Sequence, residues 1–476
     1  MSWKNESLER LFNPQSIAVI GASNKPDKLG ALTLLALKSF EKNVFPVNPR
    51  LDSIQGVRCY PTVTSIESPV DLAMIAVGPQ QMLSALEDCA EGKVRGAIIF
   101  SAGFKELGGM GVEHQRRVKE LADKARIAVI GPNCLGAGNP RLNLNATFFP
   151  HPVPMKAGSV AMVSQSGGVT GLMLYQASDR GLGVSKFASV GNRVNIDFHD
   201  MIRYLRDDSQ TDVICLFVEG TEYGREMKDE ISKTTPMKPV IVFKVGKTPA
   251  SRDAALSHTG SLAGNSEIYS GAIKQSGAIE VAGVSEMIDT AHLLSVCPHR
   301  PKGDSVAIVT HTLGIALIAA QTLELDGAIL PPPSREAAKS IQSLLNMPIE
   351  IPIKNPVDLL AQGWANPDIF GRAFDIILND DRYDSVMIVF APNYQEGIGG
   401  GIPIEKIVQA SSKVSKPIVS ILSSPEQNKP PGYEILEAAG IPFYSNPQRA
   451  SKALVNVIKI AKKNENTIEP VTRSAN

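Results

Sequence analysis

Residues 16–24 read SIAVIGASN, a short apolar run followed at once by a turn of small residues. The same arrangement recurs at VFPVNPR (44–50), LAMIAVGP (72–79), GAIIFSAG (96–103) and IAVIGPN (127–133). Short continuous apolar runs, each followed by a helical pattern, are typical of parallel strands that helices bury on both faces. The repeat therefore predicts a doubly wound α/β domain whose ligands bind where the strands end.

Two further α/β units follow this first one. The second has predicted strands at SVAMV (159–163), VICLFV (213–218) and VIVFK (240–244), with the glycine-rich turn SQSGG at 164–168. The third opens at SVAIVT (305–310), after the linker PHRPKG (298–303). The sequence thus predicts three doubly wound α/β domains, at residues 1–145, 146–298 and 303–465.

Composition narrows the class of protein. The 48 basic and 48 acidic residues balance, which argues against nucleic acid or a membrane surface as a partner. No apolar run reaches membrane-spanning length, and the start MSWKNESLERL is too polar for a signal peptide. The five cysteines are scattered without a CxxC pair, which argues against a zinc site and fits a reducing compartment. We expect a cytoplasmic protein.

The first turn suggests a dinucleotide site but fails two tests. The GxGxxG spacing is absent after Gly21, and the second strand ends in Asn48 instead of the acidic residue that holds the ribose of NAD. NAD is therefore not expected. A different phosphate-bearing nucleotide remains open, with Arg50 as a possible charge, and so does an ordinary tight turn without a ligand.

A histidine stands in a loop of small polar residues at 251–268, SRDAALSHTGSLAGNSEI. Its small neighbours, Gly260 among them, leave the His258 imidazole sterically open and provide hydroxyl and N–H donors for an anion. Because imidazole is a competent nucleophile near neutral pH, His258 is a candidate to accept a phosphoryl group. The alternative is a polar surface loop that happens to contain a histidine.

Two other features point to the same edge of the second sheet. The turn Ser164–Gly168 leads into a predicted helix, where N–H groups, two hydroxyls and the positive helix end could bind an anion. Glu219 follows a central strand and could orient one nitrogen of His258. In isolation, the turn could equally serve close packing, and a glutamate after a strand is usually solvated.

Taken in order, these segments resemble one family. GAS (21–23), GPNCLG (131–136), SQSGG (164–168), VEG (218–220) and SHTGSLAG (257–264) are similar to the NDP-forming acyl-CoA synthetases. The α subunit of ADP-forming acetyl-CoA synthetase is the most similar subgroup, and succinyl-CoA synthetase α is more distant. The resemblance covers about residues 8 to 460, and the joint order is more specific than any single segment.

The resemblance implies a Rossmann-like CoA-binding domain, then two flavodoxin-like domains of which the last is a linking domain. It implies that His258 is the phosphohistidine and that Glu219 orients it. The implied coenzyme A residues are Gly21, Ala22, Ser23, Asn24, Asn48, Pro49, Arg50, Val77, Ser101 and Asn133. The implied phosphate-binding residues are Ser164, Gln165, Ser166, Gly167, Gly168 and Gly260.

The implied reaction converts a small carboxylic acid, CoA and ATP into acyl-CoA, ADP and phosphate, through a phosphohistidine and an acyl phosphate. No ATP-grasp domain and no P-loop is visible in the chain, so ATP and Mg²⁺ are expected on an ATP-grasp β subunit, in an α2β2 assembly.

Gly171 replaces a larger aromatic residue of the succinate enzymes, which argues against succinate. Thr310–Gly314 replaces a glycine-rich turn, so a second phosphate site near His311 is left open. A non-catalytic CoA-binding regulatory protein is the alternative, and an NAD-dependent oxidoreductase is more remote.

Overall fold

The structure is a computed structural model that describes residues 2–150, 155–251, 264–349, 351–391, 401–423 and 432–468. The chain divides into two compact units, residues 1–288 and 289–476, and the division falls within a helix. Within the described residues the main sheets have five, seven and five strands. No helix in these ranges is both long and apolar enough to cross a membrane.

The first unit contains two of the sheets. Its strands are β1 Ser16–Ile20, β2 Asn43–Val47, β3 Ser53–Ile54, β4 Val57–Arg58, β5 Leu72–Ile75, β6 Gly96–Ile99, β7 Ala128–Ile130, β8 Gly136–Asn139, β9 Leu144–Thr147, β10 Ala157–Ser164, β11 Val184–Ser189, β12 Val213–Val218, β13 Val240–Lys244 and β14 Ile279–Glu280. Its helices are α1 Trp3–Phe12, α2 Leu29–Ala36, α3 Pro79–Glu91, α4 Met110–Ala125, α5 Gly167–Arg180, α6 Phe198–Asp207, α7 Gly224–Thr234, α8 Ser266–Gln275 and α9 Val284–Val296, which crosses into the second unit.

The first sheet has the order β2-β1-β5-β6-β7 and is parallel throughout. Five of the seven strands of the second sheet have the order β14-β13-β12-β10-β11, and these five are also parallel. Counted along the chain, both sheets follow the doubly wound order 2-1-3-4-5. The fold class predicted from the apolar runs is thereby confirmed.

A hairpin extends the second sheet beyond this pattern. Strands β8 and β9 form the hairpin, and β8 pairs antiparallel with β11, with Gly136 opposite Ser189. One continuous hydrophobic core joins the two sheets, and it includes Phe12 of α1. The Phe12 ring stacks on Tyr204 of α6 with 5.5 Å between ring centroids. The carboxyl ends of the first sheet and the start of α5 are therefore held in one packed body.

The second unit contains the third sheet. Its strands are β15 Val306–Thr310, β16 Val357–Asp358, β17 Ser385–Phe390, β18 Ile418–Leu422 and β19 Phe443–Tyr444. They lie in the order β16-β15-β17-β18-β19, all parallel, which is again 2-1-3-4-5. Its helices are α10 Leu313–Leu325, α11 Arg335–Leu345, α12 Leu360–Ala365, α13 Pro367–Leu378, α14 Ile404–Ser411, α15 Tyr433–Ala438 and α16 Pro447–Ile468.

Two glycines let the first turn lie directly against α2. Gly21 has a φ of +84°, which disfavours residues with a side chain. A Cβ on Gly30 would stand 2.0 Å from the carbonyl oxygen of Gly21, so only glycine fits this approach. The pair fixes the path of the chain where β1 enters its turn.

The variant Gly30→Ala tests this contact. We expect it to lower the free energy of unfolding by about 1–3 kcal/mol, because the added methyl group must displace backbone. Gly224→Ala is the matched control, since a Cβ there meets no atom within 4 Å. Urea denaturation of both variants measures the difference, and equal stabilities would show that the turn does not depend on the glycine.

Candidate active site

Three neighbouring strands of the second sheet end together at one edge. Ser164, the last residue of β10, pairs with Phe217 of β12, and Val218 of β12 pairs with Lys244 of β13. The turn Ser164–Gly168 and the segment Glu219–Gly220 are therefore adjacent, as parallel strands require. The structure brings these two predicted features together.

Gln165 links the turn to the glutamate. Its Oε1 accepts hydrogen bonds from the backbone N–H groups of Glu219 (3.0 Å) and Gly220 (3.1 Å). Its own N–H donates to the carbonyl of Phe217 at 3.2 Å. Gln165 is also one of the residues expected to bind phosphate, and its side-chain oxygen fixes the backbone at Glu219. The Gln165 side chain is 1% exposed, so this contact is protected from water.

The two serines of the turn make different hydrogen bonds. The Ser164 hydroxyl is fully buried, donates to the carbonyl of Ser166 (2.9 Å) and accepts from its N–H (3.2 Å). Ser166 caps α5, and its Oγ accepts from the N–H of Val169. The following residues, Gly167 and Gly168, form the first helical turn, whose N–H groups point out of the helix end. That end carries a partial positive charge suited to an anion.

Lys244, the last residue of β13, contacts the main chain of Glu219 and was not among the predicted site residues. Its Nζ donates to the backbone carbonyl of Glu219 at 2.8 Å and to that of Val245. It also lies 4.6 Å from the centre of the Tyr269 ring. Burial lowers the pKa of Lys244 to about 8, against the opposing attraction of Glu219. A lysine ending an otherwise apolar central strand was the only available signal.

The segment after Glu219 is braced as well. The N–H of Thr221 donates to the Tyr269 hydroxyl at 3.0 Å. The Thr221 hydroxyl donates to the carboxylate of Asp197 at 3.3 Å, and Asp197 forms a buried ion pair with Arg193 at 2.9 Å. Glu219 itself is 6% exposed. The main chain of Glu219 is thus held by the amide of Gln165 and the ammonium group of Lys244, and Tyr269 and Asp197 hold Thr221 two residues further on.

His258 and Gly260 lie outside the described residues. The structure describes the chain up to Ser251 and again from Gly264, which lies just before α8. There Asn265 caps the helix, and its Oδ1 accepts from the N–H groups of Glu267 (2.8 Å) and Ile268 (3.4 Å). The roles of His258 and Gly260 remain predictions.

The residues expected to bind coenzyme A all lie at the strand ends of the first sheet. They follow β1 (Gly21, Ala22, Ser23, Asn24), β2 (Asn48, Pro49, Arg50), β5 (Val77), β6 (Ser101) and β7 (Asn133). The turns are bonded to one another. Asn48 donates to the carbonyl of Ala22 (2.8 Å), Ser101 donates to the carbonyl of Val77, and the N–H of Asn133 donates to the carbonyl of Ser101 (2.9 Å).

Two of the residues expected to bind coenzyme A use their backbone N–H groups within the protein. The N–H groups of Gly21 and Ala22 both donate to the carbonyl of Val47, at 3.0 and 3.3 Å. These amides therefore fix the turn to the neighbouring strand. Arg50 keeps an exposed side chain beyond this network.

One cavity connects the two groups of residues. It has a volume of about 540 Å³ and is lined from the first sheet by Phe100, Asn133, Cys134 and Leu135. From the second sheet it is lined by Gln165, Ser166, Gly167, Gly168, Gly171 and Tyr175, and Phe148 and Phe149 complete it. A predicted CoA residue and the predicted phosphate-binding helix end thus face the same space.

His311 in the third sheet has a packed environment. Its Nε2 accepts from the N–H of Ala391 at 3.1 Å, and its ring lies 5.8 Å from those of Phe370 and Phe390. Burial lowers the pKa of His311, which favours the neutral ring. His311 is therefore a packed side chain just before α10, held by one hydrogen bond and two ring contacts.

Comparisons with known proteins agree with this arrangement. Residues 15–140 match a family model described as a CoA binding domain, and residues 157–294 match one described as a succinyl-CoA ligase like flavodoxin domain. The fold and strand-end site therefore define a protein of the NDP-forming CoA ligase class. The chain is 36% identical over 458 residues to the Pyrococcus furiosus acetate–CoA ligase (ADP-forming) II subunit α, covering 96% of this chain and 98% of that one. The chain belongs to the family of ADP-forming acetate–CoA ligase α subunits, which confirms the resemblance.

The chain is also similar to a longer ligase and to a solved structure of about its own length. The chain is 37% identical over 447 residues to the Archaeoglobus fulgidus acetate–CoA ligase (ADP-forming) I, but covers only 63% of that longer protein and 94% of itself. A solved structure of the Ca. Korarchaeum cryptofilum dinucleotide forming acetyl-coenzyme A synthetase 1, in complex with phosphate and ADP, has a TM-score of 0.86 and 31% identity. That match covers 97% of this chain and 99% of the other.

Lys244→Met tests the environment of the buried amine. In the folded protein the amine gives up its proton near pH 8, whereas the unfolded chain keeps it up to its ordinary pKa of 10.5. The unfolded state therefore binds more protons between these values, and the stability of the wild type should rise with pH relative to Lys244→Met. The gain should reach at most about 1.4 kcal/mol per pH unit. Urea unfolding of both proteins from pH 7.5 to 9.5 measures it, and parallel curves would show an unperturbed lysine.

Proposed function

We propose that this chain is the α subunit of an ADP-forming acyl-CoA synthetase, which interconverts a carboxylic acid, CoA and ATP with acyl-CoA, ADP and phosphate. The cavity lined by both Asn133 and Ser166–Gly168 is the observation that supports this most strongly. A thiol bound along the first sheet and an oxyanion held at the helix end would meet there. The reaction needs such a meeting, because a CoA thiol must attack an acyl phosphate.

His258 carries the phosphoryl group in this proposal. Its imidazole nitrogen attacks the γ-phosphorus of ATP, the bond to the leaving oxygen breaks, and ADP departs. A carboxylate oxygen of the acid then attacks the same phosphorus, which releases the histidine and gives an acyl phosphate. The CoA sulfur attacks the acyl carbon, phosphate leaves, and the thiol proton passes to a basic group or to solvent.

The second sheet stabilises the charge that moves through these steps. The N–H groups of Gly167 and Gly168 and the partial charge of α5 face the phosphoryl oxygens. Glu219 accepts a hydrogen bond from one nitrogen of His258 and so leaves the other nitrogen free to attack. Because Gln165 and Lys244 both hold the Glu219 main chain, the carboxylate keeps its position as the phosphoryl group arrives.

The first sheet binds coenzyme A. Its strand-end turns from Gly21 to Asn133 form one hydrogen-bonded edge, and Arg50 supplies a cation for a phosphate of the nucleotide. The half-buried Ser23 and the exposed Asn24 are the turn residues that we assign to ligand contacts. We assign these tasks to three domains, residues 1–145 for CoA, 146–298 for the phosphohistidine and 303–465 as the linking domain.

ATP and Mg²⁺ belong to a second polypeptide, an ATP-grasp β subunit in an α2β2 assembly. Within the described part of the chain, no group of three histidine, cysteine or acidic residues is placed to hold a metal ion. The chain spans 98% of the Pyrococcus furiosus α subunit but only 63% of the longer Archaeoglobus fulgidus ligase, which leaves room in the latter for a further domain. We place the assembly in the cytoplasm, since the five cysteines are buried and unpaired.

His258→Asn tests the proposed function in the complete enzyme with its partner. Labelled ATP should give an acid-labile, base-stable label on this chain, and the variant should lose both the label and acyl-CoA formation while keeping its fold. His114→Asn is the matched control and should retain both. The chain without its partner should remain unlabelled. Undiminished labelling of His258→Asn would overturn the assignment, and CoA binding without any labelling would indicate a regulatory CoA-binding protein.

A further inference from the structure

The segment that follows β11, residues 190–193, lies between the two groups of site residues. The N–H of Val190 donates to the carbonyl of Ser164 at 2.8 Å, so the segment begins against the turn that leads into α5. Two residues later, the N–H of Asn192 donates to the carbonyl of Pro132 at 2.9 Å, in the turn after β7. The segment therefore joins a turn of the second sheet to a turn of the first.

Gly191 brings this segment into backbone contact with the turn after β7. A Cβ on Gly191 would stand 2.3 Å from the carbonyl oxygen of Pro132 and 2.5 Å from that of Asn133. A side chain at this position would push the segment away from the turn. The close approach places the next side chain, that of Asn192, within reach of the Asn133 amide.

The Asn192 side chain uses both ends of its amide. Its Nδ2 donates to Oε2 of Glu106 at 2.5 Å and to Oε1 of Gln115 at 3.1 Å. Its Oδ1 accepts from Nδ2 of Asn133 at 3.5 Å. A carboxylate can only accept, which fixes the orientation of the amide. Because Asn192 is 0% exposed, it contacts residues of the CoA edge without reaching a ligand bound there.

Glu106 extends this contact to the loop after β6. Its Oε1 accepts from the N–H groups of Gly103 (2.6 Å) and Phe104 (3.1 Å). Burial acts to raise the pKa of the Glu106 carboxyl, but hydrogen bonds from Gly103 and Asn192 lower it below its ordinary value. The group is therefore an anion at neutral pH. It holds the loop that begins at Ser101, one of the residues expected to bind coenzyme A.

We propose that Asn192 is a positioning residue for coenzyme A, which fixes Asn133 and the loop at 101–106 relative to the turn that leads into α5. The proposal rests on the proposed function and adds to it a residue that touches no substrate. An amide is needed here, because the side chain must donate to one carboxylate and accept from a second amide. A carboxylate in its place would only accept and would face Glu106 with like charge.

Asn192→Asp tests the proposal in the complete enzyme with its partner. We expect KM for CoA to rise by about tenfold or more, because two carboxylates replace a charge-assisted hydrogen bond. Labelling of the chain by ATP should keep its wild-type rate, since that step does not involve CoA. The matched control Asn379→Asp makes the same change at an exposed position of the third sheet's domain and should leave KM for CoA unchanged.

A second substitution separates positioning from a general loss of structure. Adding Glu106→Gln to Asn192→Asp exchanges donor and acceptor, because the new amide can donate to the new carboxylate and still accept from Gly103 and Phe104. KM for CoA should return to within about threefold of the wild-type value. If Asn192→Asp does not fold, Glu106→Gln alone serves, since its single oxygen cannot accept from both Gly103 and Asn192; it should raise KM for CoA by about threefold or more.

Three results would overturn the proposal. They are an unchanged KM for CoA in Asn192→Asp, no recovery in the double variant, and a loss of labelling that parallels the loss of CoA use. If no acid gives acyl-CoA, the proposed function fails, and calorimetry of CoA with the full-length chain decides the inference instead. Weaker CoA binding by Asn192→Asp, restored in the double variant, would support it. Equal binding by all variants, or none by the wild type, would contradict it.

Discussion

The double hydrogen bond from the amides of Glu219 and Gly220 to the side chain of Gln165 is the contact on which the site depends. It ties the segment after β12 to the turn that begins α5, so the two strand ends cannot move independently. Lys244 adds a bond to the carbonyl of Glu219 from β13. Three adjacent strands thus hold one glutamate beside one helix end. A phosphoryl-transfer site needs this, because fixed donors stabilise moving charge without reorganising.

Packing contacts also fix the first sheet against the second. The hairpin of β8 and β9 leaves the CoA-binding region and joins the second sheet antiparallel to β11, while α1 packs its Phe12 ring on α6. The strand ends of the first sheet therefore face the start of α5 across a small cavity. In the proposed function, this shared core is what lets one chain present a thiol and an oxyanion to each other.

The sequence predicted the fold wherever strands are continuous apolar runs. It missed β11, which reads VSKFAS, because Ser185 and Lys186 suggest exposure. In the structure both are buried, and Lys186 forms an ion pair with Asp208 at 2.7 Å. The hairpin of β8 and β9 was also missed, since its residues are small and polar. In each case, tertiary contacts satisfied polar groups that local patterns treat as solvent-facing.

The site was predictable in its placement but not in its internal bonding. The turn Ser164–Gly168 and Glu219 were expected at one edge, because parallel strands end together. The burial of the Ser164 hydroxyl, the bonds accepted by Gln165 and the role of Lys244 depend on side-chain directions that spacing does not determine.

The most direct test of the central claim is a crystal structure of the chain with CoA and inorganic phosphate. Our account predicts phosphate at the N–H groups of Gly167 and Gly168, with the CoA sulfur in the same cavity near Asn133. Phosphate bound elsewhere, or a CoA sulfur in a separate cavity, would contradict it.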